Sequence, residues 1–440
     1  MDRSYNEKFE WENNIPNDWS IKRIKELINY IDQGWSPVAE NRKVESNEWG
    51  VLKLSAIKNG KYIEDEHKAL SLGTIENEMY MVKVGDILVS RSNTPKLVGD
   101  ACFVNNIENK LMYSDLIYKL DVNRYKYDAR YIVYALISPT IREQIEKTAR
   151  GLNTSMVKIS QSSIKNWIIP IPNTKEEQGI IADYLDENIL NIDKRIEVLI
   201  NKIDKYNEYK NNLITNMISK GINNTKLKSS DIDWVEYIPE NWNVKRMKDI
   251  FVERSEKNLN KDGNPVTTNI LSVMKDIGVI NHKDKGNVGN KMSKDITGYK
   301  LVYPNDIVVN KMNVMIGSVG ISKEFGALST VYIVLNIKSG NCANYFDYVF
   351  KSKSLQRHLR KIASGILEIR EAVNINRFMQ ESIPVPPYEE QIKIVEVLDY
   401  KCSLIDKSIK KIKLQINILN KYKKSLIDEV IMGKVRIKNE

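Results

Sequence analysis

Side chains able to do covalent or metal chemistry are few and scattered in this sequence. His67, His282 and His358 cluster neither with one another nor with Cys102, Cys342 and Cys402, so the spacing of a structural zinc site is missing. Val385-Pro-Pro-Tyr388 has the outline of an aromatic-amine methylation signature. That chemistry needs an Asn or Asp first, to hold the exocyclic amine, and Val385 offers no such group. Gly286-Asn-Val-Gly289 and Gly317-Ser-Val-Gly320 fall short of dinucleotide-loop spacing, and no GxxxxGKS or GxxxxGKT phosphate cradle occurs. None of the prolines precedes an aspartate, and Glu66-His-Lys68 has no acidic companion, so the usual nuclease arrangement is absent. No serine or cysteine has a supporting base. The expectation is a non-enzymatic chain with no cofactor and no metal of its own.

What remains is binding chemistry. A net charge of +10 and a pI near 9.1 point to a polyanionic partner, most often nucleic acid. The length, 440 residues, suits two domains or more. No apolar run reaches membrane-spanning length, the N-terminus is polar, and the three cysteines lie far apart. A cytoplasmic, disulfide-free protein without a membrane partner is expected.

The elements that would position such a binding surface appear twice. Apolar residues at Ile189, Ile192, Ile196, Leu199, Ile203 and Tyr206 resume, after Lys210, at Leu213 and Met217. These alternating steps of three and four make a coiled-coil seam. Adding 213 to each gives Cys402, Ile405, Ile409, Ile412, Ile416, Leu419, Lys423, Leu426 and Val430. A helix over 176–220 would be roughly 65 Å long at ~1.5 Å per residue, which suits a spacer. The shared lysine either sets the register or snorkels to the seam's edge.

The segments ahead of these helices also match. Trp11-Glu-Asn-Asn-Ile-Pro-Asn-Asp-Trp19 recurs 223 positions later as Trp234-Val-Glu-Tyr-Ile-Pro-Glu-Asn-Trp242. The tryptophans read as core anchors, and the Lys-Arg after each reads as part of a short amphipathic helix. Leu54-Ser-Ala-Ile-Lys58 answers Leu271-Ser-Val-Met-Lys275, each read as a strand and turn. Val84 to Arg91 answers Pro304 to Lys311, an Asp-led turn into a buried strand that empties into a small polar loop. Helical stretches follow, then the glycine turns Arg150-Gly151 and Ser364-Gly365. Pro170-Ile-Pro172 and Pro384-Val-Pro386 come next and are expected to end strand pairing. Each Pro-x-Pro leads to Glu-Glu-Gln (176–178; 389–391), acidic residues suited to a helix start. Residues 222–233 read as a polar linker. The fold class is α+β, with two globular domains of curled sheet, each followed by a long helix, in an internal pseudo-two-fold repeat.

This order of markers, repeated over Trp11 to Gly433, resembles the specificity subunit of type I restriction–modification systems. The copies depart from each other in two places. Asn173-Thr-Lys precedes the first Glu-Glu-Gln, and the first polar loop, Ser92 to Gly99, carries Pro95 and lacks the Ile-Gly-Ser of the second. The resemblance implies target-recognition domains at 1–172 and 223–386, and spacer helices at 173–222 and 387–440 that pack antiparallel. It implies double-stranded DNA as ligand, read as a bipartite asymmetric site. Two adenine methyltransferase subunits carrying S-adenosylmethionine, and in some systems motor-nuclease subunits, are the implied partners. DNA contacts are expected from the polar loops and glycine turns: Arg91, Ser92, Asn93, Thr94, Lys96, Arg150, Asn153 and Lys158 in the first domain, and Lys311, Asn313, Ser318 and Arg370 in the second. The seam should comprise Ile192, Ile196, Leu199, Ile203, Lys210 and Leu213 against Ile405, Ile409, Ile412, Ile416, Lys423 and Leu426.

Three other readings compete. A fused restriction–methylation enzyme is opposed by the missing cofactor motifs. A related two-component system that cleaves outside its site would use the same recognition architecture. A coiled-coil protein scaffold accounts for the seam but not for two basic, dissimilar loop-bearing domains.

Overall fold

The computed structural model describes residues 9–149, 156–222, 225–275, 277–286, 292–362 and 373–437. Two compact units emerge: Met1–Leu199 with Leu414–Glu440, and Ile200–Lys413. Element ends place boundaries near 172, 222 and 386, whereas packing divides both long helices near their middles. The cause is in the cores. Leu185 and Ile192 of one helix and Leu426, Val430 and Ile431 of the other join the same buried cluster as Ile24, Leu120 and Leu136. In the second unit Leu213, Ile218, Leu398 and Ile405 join Phe251, Ile333 and Phe346.

In the first unit a four-stranded antiparallel sheet runs in the order Ala101–Phe103, Ile87–Ser90, Ile117–Val122, Ile28–Gln33. Ile87–Ser90 is buried at every residue, as the apolar run Ile87-Leu-Val89 requires, and the Ser90 hydroxyl is hydrogen-bonded to Leu97 O. Helices Ala129–Ile137 and Pro139–Thr148 back this sheet. Asp128 caps the first by accepting from the N–H groups of Arg130 and Tyr131, and Pro139 starts the second where its missing N–H costs nothing. A second sheet (Lys110–Met112, Trp49–Leu52, His67–Leu70, Ala39–Glu40) includes one parallel pair. In the second unit the order is repeated by Val319–Ile321, Ile307–Asn310, Tyr332–Ile337 and Phe251–Glu253, followed by helices Ala343–Lys351 and Lys353–Ile362. The fold is α+β with a repeated sheet.

Four local expectations change. Lys22-Arg23 and Lys245-Arg246 lie in strands, Ser20–Arg23 and Asn243–Arg246, not in helices. Their partners are the Pro-x-Pro segments, Ile168–Ile171 and Ser382–Val385, with Pro170 opposite Ile21 and Pro384 opposite Val244. Each strand of a two-stranded ribbon has a free edge that tolerates a missing N–H, so proline does not stop the pairing. Burial of Ile169, Ile171 and Ile383 holds these ribbons down. The linker instead forms a hairpin, Leu227–Ile232 with Val235–Pro239, so the second opening motif is extended where Glu10–Asn14 of the first is a 3-10 turn. Leu54–Ala56 is also a 3-10 turn, while Leu271–Met274 is a strand.

The long helices are Lys175–Lys220 and Tyr388–Ile431. They stop at Gly221 and Gly433, whose φ values of +70° and +68° suit glycine. A side chain at Gly221 would fall 3.1 Å from the Trp242 ring, so close packing also requires glycine there. In the first unit Ile192 and Leu426 are buried and Ile196, Leu199 and Ile416 half-buried; in the second, Leu213, Ile405, Ile409 and Ile412 are buried and Ile203 half-buried. Lys210 and Lys423 occupy their seam positions half-buried. In the first unit the two helix segments run antiparallel, Asp193 meeting Lys423 while Val198 flanks a groove with Gln415. Among the described residues no helix is long and apolar enough to cross a membrane.

Candidate nucleic-acid interface

Strand register gathers three chain segments at one end of the first sheet. Gln33 lies opposite Tyr118 and Ser90 opposite Ile117, so Gly34–Val38, Arg91–Gly99 and Ser114–Leu116 leave the sheet together. Arg91 N–H donates to Leu116 O at 2.8 Å, and Arg91 Nη1 to Asp115 O at 3.1 Å. The Ser36 hydroxyl pairs with the Asp115 carboxylate, tying the neighbouring segment to the same point. Beyond Arg91, Ser92–Asn93 forms a short strand with Val157–Lys158. The returning limb is held by Ser90 Oγ donating to Leu97 O (2.9 Å) and by Arg142 Nη2 donating to Val98 O (2.7 Å). What this scaffold presents to solvent is Thr94, Lys96 and Lys158, with Asn93 and Arg91 half-exposed.

In the second unit Asn310 faces Tyr332 at the corresponding sheet end. The loop that follows closes on itself through Asn310 N–H to Ser318 O and Ser318 N–H to Asn313 O, both 3.0 Å. Val314–Ile316 is a 3-10 turn ended by Gly317 at φ +90°. Met312, Asn313 and Ile316 are exposed and Lys311 is half-buried. A cavity of about 430 Å³ opens beside this loop, with Ser272, Tyr332 and Ser318 in its wall.

Two expected contact residues are corrected by burial. Ser92 is wholly inaccessible and Ser318 nearly so, because the strand at 157–158 covers the first and the loop closes over the second. They support their loops from beneath. Arg150, Asn153 and Arg370 lie outside the described residues. Sequence reasoning missed Trp35, 39% exposed on the Gly34–Val38 segment beside Arg91, and it missed the cavity. A tryptophan set among Gly, Ser and Pro just after a strand was a usable signal for the first.

The frame that holds these loops on the helices is the same in both units. Trp19 Nε1 donates to Glu177 Oε1 and Trp242 Nε1 to Glu390 Oε2, each at 3.0 Å. Gln178, 1% exposed, accepts from Asp128 N–H and donates to Pro172 O; Gln391, also 1% exposed, accepts from Cys342 N–H and donates to Pro386 O. Tyr131 and Tyr345 donate to Pro170 O and Pro384 O, and burial raises both phenols well above their ordinary pKa, keeping them protonated donors. Glu-Glu-Gln is therefore a joint between domain and helix as well as an acidic helix start.

Comparisons with known proteins agree with this duplicated frame. Residues 16–205 and 239–418 match the family described as the type I restriction modification DNA specificity domain. The chain belongs to that family. It is 23% identical over 448 aligned positions to the putative type I restriction enzyme MjaX specificity subunit of Methanocaldococcus jannaschii, covering 96% of this chain and 95% of that one. It is 32% identical over 173 residues to the type I restriction enzyme EcoEI specificity subunit of Escherichia coli, covering 39% of this chain and only 29% of that one. Among solved structures, a chain from work on assembly and conformational transition of a type I R-M system superposes with a TM-score of 0.68 at 14% identity, covering 96% of this chain and 99% of that one. The HsdS subunit of Thermoanaerobacter tengcongensis gives 0.50 at 15%, over 96% and 98%. At such identities these two likenesses concern the fold.

Proposed function

We propose that each unit reads one half of a split, asymmetric duplex-DNA site, and that the chain thereby directs adenine methyltransferase subunits, and restriction subunits where present, to that site. One observation carries this reading. The same strand order ends, in both units, in loops of unlike sequence: Ser92 to Gly99 is polar and proline-bearing, whereas Met312 to Gly317 mixes methionine, isoleucine and asparagine. A shared scaffold with divergent tips suits a reader of two different short sequences. Lys96, Lys158 and Lys311 supply cations for backbone phosphates, and Thr94, Asn93 and Asn313 supply hydrogen-bonding groups for base edges.

The chain itself contributes no catalysis on this reading. S-adenosylmethionine belongs to the methyltransferase partners, two per chain. Docking is assigned to the helix pairs. In the first unit these expose Val198 (65%) and Ile418 (55%) along an apolar groove of about 580 Å³ flanked by Lys194 and Arg195. Exposed apolar surface of this kind marks a protein contact. The test is modified-base sequencing of DNA from a methylation-free host that expresses the chain with its methyltransferase. A methylated motif with two unlike halves and a fixed gap is expected. Complete absence of methylation, with a folded and soluble methyltransferase, would overturn the reading.

A further inference from the structure

The hairpin at 57–62 of the first unit carries two lysines that its own geometry sets against each other. Ile57–Lys58 pairs with Lys61–Tyr62 through a two-residue Asn59-Gly60 turn, with φ at +51° and +80°. Lys58 therefore lies directly opposite Lys61, where like charges repel. Lys61 is relieved by Asp193 on the long helix, 2.6 Å away, and Lys58 has no such partner. Both line a cleft of about 670 Å³ that also takes in Lys96 of the reading loop, Arg142, and Asn420 and Lys424 of the C-terminal helix. Six cationic and four acidic side chains line it, and three of the acids are already engaged. Asp193 is shared by Lys61 and Lys423, Asp100 is 5% exposed and accepts from Asn59 N–H, and Glu146 lies 3.8 Å from Arg142. That leaves Glu143 against Lys58, Lys96 and Lys424. All three lysines are exposed and, among the described residues, have no side-chain hydrogen bond or ion pair.

Unbalanced cations gathered in one concavity focus a field that draws in a polyanion. Lys96 is among the phosphate contacts proposed above. Duplex DNA carries one charge per ~1.7 Å of axis, so a backbone held at Lys96 brings further phosphates over the same cleft. We propose that the duplex backbone lies across this cleft with Lys58 and Lys424 as phosphate contacts, so that the C-terminal helix is itself part of the DNA interface in the first unit. The proposal rests on the DNA-reading function above. Such contacts position the duplex and carry no base readout. They also belong to one unit: subtracting 213 from Lys424 gives Asn211, so the matching position of the second unit lacks the ammonium.

The test measures binding of the full chain with its methyltransferase to duplexes carrying the methylated motif, at several salt concentrations. Lys58→Ala and Lys424→Ala should each flatten the slope of log affinity against log salt by about 0.9, with sequence preference unchanged. Lys424→Arg should keep the slope. So should Lys421→Ala, which removes an exposed lysine from the same helix outside the cleft. Unfolding midpoints and methyltransferase stoichiometry check that each variant is folded and assembled. Free phosphate shares the chemistry of the backbone, so the full chain alone is also titrated with inorganic tripolyphosphate. Tripolyphosphate binding that is lost in Lys424→Ala, with DNA slopes unmoved, reassigns the cleft to a free anion and overturns the duplex contact. Parental slopes in Lys58→Ala and Lys424→Ala beside a flattened slope in Lys96→Ala overturn it while leaving the reading function intact, as does equal flattening in Lys421→Ala. Absence of any specific complex counts against that function and removes the proposal with it.

Discussion

Lys423 Nζ sits 3.0 Å from both carboxylate oxygens of Asp193, a chelated ion pair across the helix seam of the first unit. The second unit repeats it: Lys210 Nζ lies 2.8 Å from both oxygens of Asp406. Asp193 and Asp406 are 213 apart, as are the lysines, so each seam lysine is matched by an aspartate on the opposing helix. A polar seam position matched by an aspartate on the opposing helix is what a register-setting role requires, and in both pairs the lysine head lies toward the seam's edge. The first pair has a third member, Lys61 from the recognition domain, 2.6 Å from Asp193.

The two pairs differ in burial, and their mutational costs should differ accordingly. The side chains of Lys423 and Asp193 are 15% and 22% exposed, while Asp406 is 58% exposed. Asp193→Ala leaves a mostly buried ammonium unpaired and should cost about 2–3 kcal/mol, somewhat below the range for fully buried pairs. Asp406→Ala should cost under about 1 kcal/mol, as exposed pairs do. Urea unfolding of the two variants measures both, and equal losses would remove the distinction.

Asp193 also gives a pH dependence with a defined sign. Burial opposes its ionisation, but hydrogen bonds from Lys61 and Lys423 outweigh burial and hold its pKa below the ordinary 3.8. A carboxylate with a depressed folded-state pKa contributes stability that is fully present above 3.8 and lost as pH falls through its folded value. The stability gap between the protein and Asp193→Asn should therefore be constant near neutrality and close below about pH 4. Urea midpoints across that range test it; a gap that widens in acid contradicts the assignment.

Gln178 and Gln391 are predicted to be structural despite being polar helix residues. Truncating either to alanine strands a half-buried backbone N–H, that of Asp128 or Cys342, and a carbonyl beside the Pro-x-Pro ribbon. A loss of about 1–3 kcal/mol per site is expected. Chemical denaturation reads the loss, and wild-type stability in both variants would show the joint to be dispensable.

The reading loops should separate into phosphate and base contacts by salt. Lys96→Ala and Lys158→Ala should each flatten the slope of log affinity against log salt by about 0.9 while leaving sequence preference unchanged. Asn313→Ala should leave the slope alone and relax one position of the second half-site, by about 1–3 kcal/mol. Binding titrations on the methylated motif at several salt concentrations distinguish the two.

Much of this was legible in the sequence because it is periodic or repeated. The seam from Ile192 to Leu213 and from Ile405 to Leu426 lies at heptad spacing, and all of it is buried or half-buried. The Asp-led turns were also readable: Asp86 accepts from Lys83 N–H and Asp306 from Tyr303 N–H, which fixes where each buried strand starts. Lys22-Arg23 was misread because its strand is imposed by Ile168–Ile171, about 145 residues away, and local pattern carries no trace of that partner. Ser92 and Ser318 have loop-like identities, and only the chain that covers them determines their burial. The cavity draws on segments near 272, 282, 299, 313 and 332, so no local window could announce it.

The joint around Gln178 and Gln391 has a consequence for inheritance. Each domain meets its helix through an indole N–H, one backbone N–H and a backbone carbonyl beside the prolines, and through a shared apolar core. The loops at the far end of the sheet take no part in this joint, so their sequence is free to vary as long as the domain keeps the tryptophan and the apolar face that packs on the helices. A gene crossover within the Pro-x-Pro codons would therefore hand a cell a new specificity in one step, with the helices and whatever docks on them left unaltered.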